Sequence, residues 1–194
     1  METNSLILNL PGSHQAVFSA LNCEKMLPSI EKFDEGEASS AIDSFEKAIA
    51  ALYSFAIGLP TSLQEYQALK DEVESYWPDL DESENEFASY GFDAFVAMSE
   101  ALNFVLSGDS SHVINCAAAV IDTVDMYVQM VSEVEPPAAE LEAFILSSPL
   151  VIREANRQQM ILKELSKISV IDSSIIADLR SLNEQEPLIE LGAI

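Results

Sequence analysis

Apolar residues recur every three or four positions along most of the chain, which is typical of amphipathic helices. From Ser110 or Ser111 to about Glu133, the apolar positions follow steps of 4, 3, 4, 3 and 4 residues: Val113, Ala117, Val120, Val124, Tyr127 and Val131. The segment from Phe92 to Ser107 is apolar on nearly all sides, which predicts a buried helix. Only "SGDSS" joins the two segments, so we expect an antiparallel hairpin at the centre of the core.

Local start and stop signals predict the remaining helices. Ser13 is a plausible first cap, and Pro28 should kink or restart the helix that follows because proline removes a backbone donor. The tail "EPLIELGAI" should pack back on the bundle through Leu188, Ile189 and Leu191. The pattern predicts an all-α, single-domain helical bundle over residues 1–194, with about seven or eight helices around the central hairpin. The other predicted helices run from about Ser39 to Ile57, from Thr61 or Ser62 to Tyr76, from about Pro149 to Ile168 and from Asp172 or Ser173 to Asn183, and a short helix follows the break at Pro136 and Pro137 and ends at about Leu146.

The charge of the chain is one-sided and excludes two classes of partner. Nine Lys and Arg oppose 33 Asp and Glu, which gives a net charge of −24. Phosphate backbones and anionic membrane surfaces would repel such a protein, so we expect neither nucleic acid nor membrane as a partner. The N-terminal segment lacks the features of a signal peptide, and no run of eighteen apolar residues occurs, so a cytoplasmic location is expected.

The charges are also unevenly distributed along the chain. Residues 71–152 hold 17 Asp and Glu but no Lys or Arg. Arg153, Arg157, Glu164 and Lys167 follow at helical spacing, which predicts one exposed stripe that faces the acidic middle, within the molecule or across a dimer. The sequence therefore leaves open whether the protein binds an unknown protein partner or associates with itself.

The acidic stretch "PDLDESENEFASYG", residues 78–91, holds seven side chains that could coordinate a cation. Its start resembles a calcium loop, but the required glycine is Glu84 and the required bidentate glutamate is Tyr90. An EF-hand is therefore excluded. We expect a solvated loop whose carboxylates favour the positive end of the next helix; weak cation binding or docking of a basic partner stays open.

The other candidate chemistry is sparse. Cys23 and Cys116 lie in apolar helical patterns and are expected to be buried free thiols. His14 and His112 lack the Glu-x-x-His spacing of a di-iron bundle, and two separated His with two separated Cys are a poor zinc set. The common catalytic and nucleotide-binding motifs are absent. We therefore expect no metal site, no cofactor and no catalytic residue, and lean against an enzyme.

Glu100 is the carboxylate that is the best candidate for a functional role. It lies in "FVAMSEALNF", on the helix that is apolar on nearly all sides, and a buried acid has a raised pKa and functional potential. One interpretation is a ligand-binding pocket between the two central helices, near Glu100, Asn103 and Tyr127. The alternative is an exposed stripe or a structural hydrogen bond.

Four blocks of sequence carry a resemblance to a known family. The blocks are "FSALNCEKMLPSIEKF", "SYGFDAFVAMSEALNFVLSG", "AAAVIDTVDMYV" and "IIADLRSLNEQEPLIELGAI". In their order and spacing they resemble the YjaG-like family of uncharacterised bacterial proteins (DUF416), over about residues 5–194. The resemblance implies an all-helical cytoplasmic protein with no established activity. Most matching positions are interpreted as structural, Tyr90 and Gly91 as a loop entry among them.

The sequence thus favours a non-enzymatic binding or protein-interaction module. The alternative is a small-molecule-binding protein or an enzyme with an interhelical pocket near Glu100.

Overall fold

The computed structural model describes residues 2–37, 39–132, 137–184 and 186–193, and within them the chain forms ten α-helices, a final 3₁₀ turn and no strand. The predicted all-α bundle is confirmed. The described residues form two helices more than the eight that the sequence predicted at most. The helices are α1 (Glu2–Asn9), α2 (Gly12–Lys25), α3 (Leu27–Glu37), α4 (Ala41–Ala56), α5 (Leu63–Glu74), α6 (Ala88–Ser107), α7 (Ser111–Val131), α8 (Leu141–Leu146), α9 (Pro149–Leu165) and α10 (Ser173–Asn183), and the 3₁₀ turn is Leu191–Ala193.

The α6–α7 hairpin lies at the centre of the bundle, as predicted. These two helices contact each other more extensively than any other pair, and their cross-contacts run in antiparallel order. Gly108 ends α6 in the left-handed conformation, at φ 74°, which a residue with a Cβ rarely adopts. Phe95 of α6 packs edge-on against Phe33 and Phe45, at ring-centroid distances of 5.5 and 6.4 Å. The hairpin therefore links α3 and α4 to the core.

The sequence pattern does not predict α1, whose stability depends on distant residues. Ile7 is fully buried, and α1 packs against α9. The buried Gln15 amide donates hydrogen bonds to the carbonyls of Ile7 and Leu10, at 3.0 and 2.9 Å, so it attaches the end of α1 to α2. A helix of eight residues is marginal in isolation. Its burial and its cap come from tertiary contacts.

The predicted break at Pro28 is confirmed, because α2 ends at Lys25 and α3 begins at Leu27.

The predicted start of α6 at Phe92 is wrong by one turn. The helix begins at Ala88, so Gly91 lies inside α6 and not at a loop entry. A Cβ at Gly91 would lie 2.7 Å from Cγ of Phe33, so glycine allows the close approach of α3 and α6.

The start of α5 at Ser62 agrees with the sequence and gives a test of the fold. The Ser62 hydroxyl accepts from the Glu65 amide at 3.2 Å, and the Glu65 carboxylate accepts from the Ser62 amide at 2.7 Å, which completes a capping box. We expect Ser62→Ala to lower the free energy of unfolding by about 1 kcal/mol in urea titrations. Thr61→Ala should change it by less than about 0.5 kcal/mol. Equal effects of the two substitutions would contradict the assigned cap.

The C-terminal tail packs against the bundle, as predicted. Leu188, Ile189 and Leu191 are buried, and the Tyr127 hydroxyl donates to the Glu190 carbonyl at 3.3 Å. The tail thereby closes one side of a cleft next to α9.

Candidate functional site

The candidate site is a cleft between the end of α2, the first three turns of α9, the end of α10 and the tail segment 186–188. Its volume is about 370 Å³, within the range of small-ligand pockets. Three of the nine Lys and Arg of the chain line it, namely Lys25, Arg153 and Arg157. We call it the basic cleft. Its other charged lining residues are Glu154 and Glu186, and its apolar ones are Met160, Leu182, Pro187 and Leu188.

Arg157 forms the inner end of the basic cleft and is almost fully bonded. Its Nε and Nη2 donate to the two carboxylate oxygens of Glu154, at 2.7 and 2.6 Å. Nη1 donates to Asn183 of α10 at 2.7 Å, and Nη2 also donates to Asn22 of α2 at 2.5 Å. The side chains of Arg157 and Glu154 are only 11% and 3% exposed. This buried pair therefore holds α2, α9 and α10 together.

Gln158 extends the buried pair to the central hairpin. Its amide donates to Glu154 at 2.9 Å and to the Ala117 carbonyl of α7 at 3.0 Å. Asn183 likewise donates to the Leu21 carbonyl at 2.8 Å. Side chains and main chain from four helices thus contribute hydrogen bonds to this network, in which the Asn22 amide nitrogen is buried without a partner.

Arg153 and Lys25 lie at the opening of the basic cleft and hold the tail. Nη2 of Arg153 donates to the carbonyls of Pro187 and Leu188, both at 2.8 Å. Nη1 contacts the exposed Glu186 carboxylate at 3.2 Å. The Lys25 ammonium donates to the Glu186 carbonyl. Two cations therefore fix the irregular segment through its main chain.

Lys25 differs from every other Lys and Arg in the described part of the chain, because it has no carboxylate within 4.0 Å. The neighbouring Glu24 pairs instead with Arg180, Nε to Oε1 2.6 Å. Burial lowers the pKa of Lys25, and the positive charges of Arg157 and Arg153 lower it further, against the opposing effects of Glu154 and Glu186. An unpaired, half-buried ammonium in a chain of net charge −24 is a group that an anion would stabilise.

The sequence predicted that α9 carries an exposed stripe that pairs with the acidic residues 71–152. Within one molecule this prediction is wrong. Arg157 is buried rather than exposed, and Arg153 pairs with Glu186 of the tail. Lys167, just beyond the end of α9, pairs with Glu164 of α9 at 2.6 Å. The partners of these cations thus lie in α9 and in the tail, outside the acidic residues 71–152. Pairing across a dimer stays a prediction.

Glu100, Asn103 and Tyr127 are not brought together. The Glu100 carboxylate pairs with Nδ1 of His112 at 2.7 Å and accepts from the Asn115 amide at 3.2 Å. Tyr127 lies 15 residues beyond His112 on α7, about 22 Å along the axis, and bonds the tail. None of the three lines the basic cleft. Glu100 thus makes hydrogen bonds across the hairpin. A ligand-binding role for Glu100, Asn103 and Tyr127 stays a prediction.

The pKa of another acid of α6, Asp93, is raised. Asp93 accepts from the Thr123 hydroxyl at 3.0 Å. Burial raises its pKa to about 6, the Thr123 bond opposes the rise and the nearby Asp122 charge adds to it. Burial likewise raises the pKa of Tyr90 to about 12. These groups form a small acidic region between α6 and α7.

The acidic stretch of residues 78–91 is an exposed loop that continues into α6. Its carboxylates at Asp79, Asp81 and Glu82 are exposed, and Asn85 attaches the loop to α3 by donating to the Phe33 carbonyl at 2.9 Å. Across the described residues, no group of three or more His, Cys, Asp and Glu could hold a metal ion. The cysteines are free and buried, as predicted.

The amino-acid sequence matches a protein family over nearly its whole length. A family described as "Protein of unknown function (DUF416)" matches residues 2–193. The chain belongs to the DUF416 family. The resemblance found in the sequence is thereby confirmed. The family description gives no activity, so the cleft itself is the basis for a function.

A solved structure supports the DUF416 fold. The chain is similar to a DUF416 family protein from Shewanella baltica OS155, with a TM-score of 0.80, 19% identity, and coverage of 93% of this chain and 92% of that chain. At this identity the likeness shows the fold alone. No curated protein has a significantly similar sequence. None of the helices in the described residues is long and apolar enough to cross a membrane.

Sequence reasoning missed the basic cleft because its parts are far apart. Lys25 is separated by 128 residues from Arg153 and by 161 from Glu186. One local signal was present: Arg153 and Arg157 are four residues apart and therefore share a face of α9. That signal was interpreted as an exposed stripe. Periodicity gives the shared face but not the element that covers it.

Proposed function

We propose that this DUF416 protein is a non-enzymatic binding module that takes a small anionic ligand in the basic cleft. The observation that carries the proposal is Lys25, which faces a cavity of about 370 Å³ without a carboxylate partner in the described part of the chain. Arg153 and Arg157 add positive charge on the same side. A bound anion would relieve the repulsion among these cations.

The chemistry of the lining supports binding rather than catalysis. None of the described lining residues carries a hydroxyl, a thiol or an imidazole. Glu154 is engaged by Arg157, and Glu186 lies at the exposed rim. Hydrogen-bond donors and apolar surface therefore dominate the cleft, and these are the groups that fix a ligand. We expect the protein to act in the cytoplasm, where small anions are abundant.

The proposal predicts a specific loss of binding in Lys25→Met. Calorimetry at fixed ionic strength, with a panel of small carboxylates, phosphate and sulfate, should detect binding to the unmodified protein. Lys25→Met should weaken that binding at least tenfold, roughly 1.4 kcal/mol. Lys47→Met is the matched control, because Lys47 is an exposed lysine paired with Glu72 on another face, and it should leave binding unchanged.

The pH dependence adds a second readout. An anion prefers the charged form of Lys25, whose pKa is lowered from 10.5 by burial and by the two arginines. Affinity should therefore fall as the pH rises through that lowered pKa, and Lys25→Met should lose this dependence. Absence of binding by every anion, or equal binding by Lys25→Met and Lys47→Met, would disprove the proposal.

A further inference from the structure

The charge balance of the basic cleft restricts the ligand. Lys25, Arg153 and Arg157 contribute three positive charges, and Glu154 and Glu186 contribute two negative ones, so 3 − 2 leaves +1. The protein as a whole carries −24. Its long-range field repels a dianion twice as strongly as a monoanion, while the local excess can neutralise only one charge. A monoanion therefore fits the cleft best.

The free donors of the cleft also restrict the anionic group. Arg157 uses four of its five N–H groups on Glu154, Asn183 and Asn22. Arg153 uses both Nη2 protons on tail carbonyls. Lys25 uses one of its three N–H groups. What remains is two N–H groups of Lys25 and an edge of Arg153 at the opening, and one N–H group of Arg157 at the inner end. The donors of Lys25 and Arg153 at the opening match the two oxygens of a carboxylate.

Glu186 already shows where a carboxylate can bind. Its carboxylate lies 3.2 Å from Nη1 of Arg153, and its side chain is 65% exposed. An exposed ion pair of this kind contributes little free energy, so another carboxylate can displace it. The carboxylate of Glu154 is different, because it is buried and held at both oxygens. The exchangeable position is therefore the one beside Arg153 and Lys25.

Apolar side chains face the same space. Met160, Leu182, Pro187 and Leu188 line the cleft beyond the cations. Met160 is partly exposed, and Leu188 is buried against the bundle. A ligand with an alkyl or aryl body would bury that body against these residues while its carboxylate meets Lys25.

Resting on the proposed anion-binding function, we infer that the ligand is a monocarboxylate with an apolar body, which takes the contact of the Glu186 carboxylate with Arg153. The Glu186 main chain stays bonded to Lys25, so the Glu186 charge remains at the rim and the local excess stays near +1. The carboxylate oxygens accept from Lys25 and Arg153, and the body lies along Met160 and Leu182. The rim carboxylate of Glu186 competes with the ligand.

Titration calorimetry with hexanoate, acetate, hexanamide, adipate and inorganic phosphate at fixed ionic strength tests the inference. We expect hexanoate to bind, hexanamide not to bind, and acetate to bind roughly tenfold or more weakly because it lacks the methylenes that become buried. Adipate and phosphate should bind more weakly than hexanoate. Tighter binding of phosphate or adipate would overturn this inference and leave the anion-binding function standing. Absence of binding by all four anions would overturn both.

Two variants test the position of the carboxylate and the position of the apolar body separately. Glu186→Gln removes the competing carboxylate and should tighten hexanoate binding roughly two- to fivefold, without loss of fold, because the residue is exposed. Met160→Ser should weaken hexanoate and leave acetate unchanged. Weaker hexanoate binding in Glu186→Gln, or an equal effect of Met160→Ser on both acids, would overturn the assigned position.

Discussion

Arg157→Ala should lower the free energy of unfolding by about 3–5 kcal/mol, because it leaves the buried Glu154 carboxylate without its counter-ion. The substitution also removes the donors to Asn22 and Asn183, which join α2 and α10 to α9. For a chain of this length, the loss corresponds to a fall in Tm on the order of 10 °C. Urea titrations followed by circular dichroism measure it.

Two control variants distinguish the effect of an unpaired Glu154 carboxylate from a general loss of packing. Lys167→Ala removes a pair with Glu164 that is exposed on both sides, and it should change the free energy of unfolding by about 0–1 kcal/mol. In the Glu154→Gln/Arg157→Ala double variant the stranded charge is gone, so part of the stability should return. A loss below about 1 kcal/mol in Arg157→Ala alone would show that water reaches Glu154 and that the network is not a structural centre.

The sequence predicted those parts of the fold that local signals determine. The α6–α7 hairpin followed from a short link and apolar periodicity, and the start of α5 near Thr61 or Ser62 followed from the stop signal "GLP" before it. The break at Pro28 followed from the geometry of proline. In each case the residues that decide the structure lie within a few positions of one another, so one sequence is enough to find them.

The parts that were missed depend on distant contacts. The end of α1 is bonded by the Gln15 amide of the next helix, and the first turn of α6 packs closely against Phe33 of α3 through Gly91. The basic cleft needs Lys25 and Arg153 to meet the tail, which no periodicity shows. Glu100 was the favoured site residue because its helix is apolar, yet its partner His112 lies just across the hairpin. Periodicity could predict which residues share a helix face, but not their distant partners.

Asp93→Asn should stabilise the protein at neutral and higher pH. Burial raises the pKa of Asp93 to about 6 from 3.8, so the ionised form is disfavoured in the folded state. The native state therefore binds the proton more tightly than the unfolded state, and stability falls as the pH rises from 3.8 through 6. Asparagine keeps an acceptor for Thr123 without the charge. The expected gain is on the order of 2–3 kcal/mol well above pH 6.

The pH profile of that gain identifies its cause. Below pH 3.8 the carboxyl group is neutral in both states, so the difference between Asp93→Asn and the unmodified protein should vanish there. Asp122→Asn should give a smaller gain, since it removes a charge that raises the pKa of Asp93. The exposed Asp178→Asn should change stability by less than about 0.5 kcal/mol at any pH. If Asp93→Asn instead destabilised the protein above pH 6, the Asp93 carboxylate would make a stabilising contact between α6 and α7, and the acidic region would be structural rather than strained.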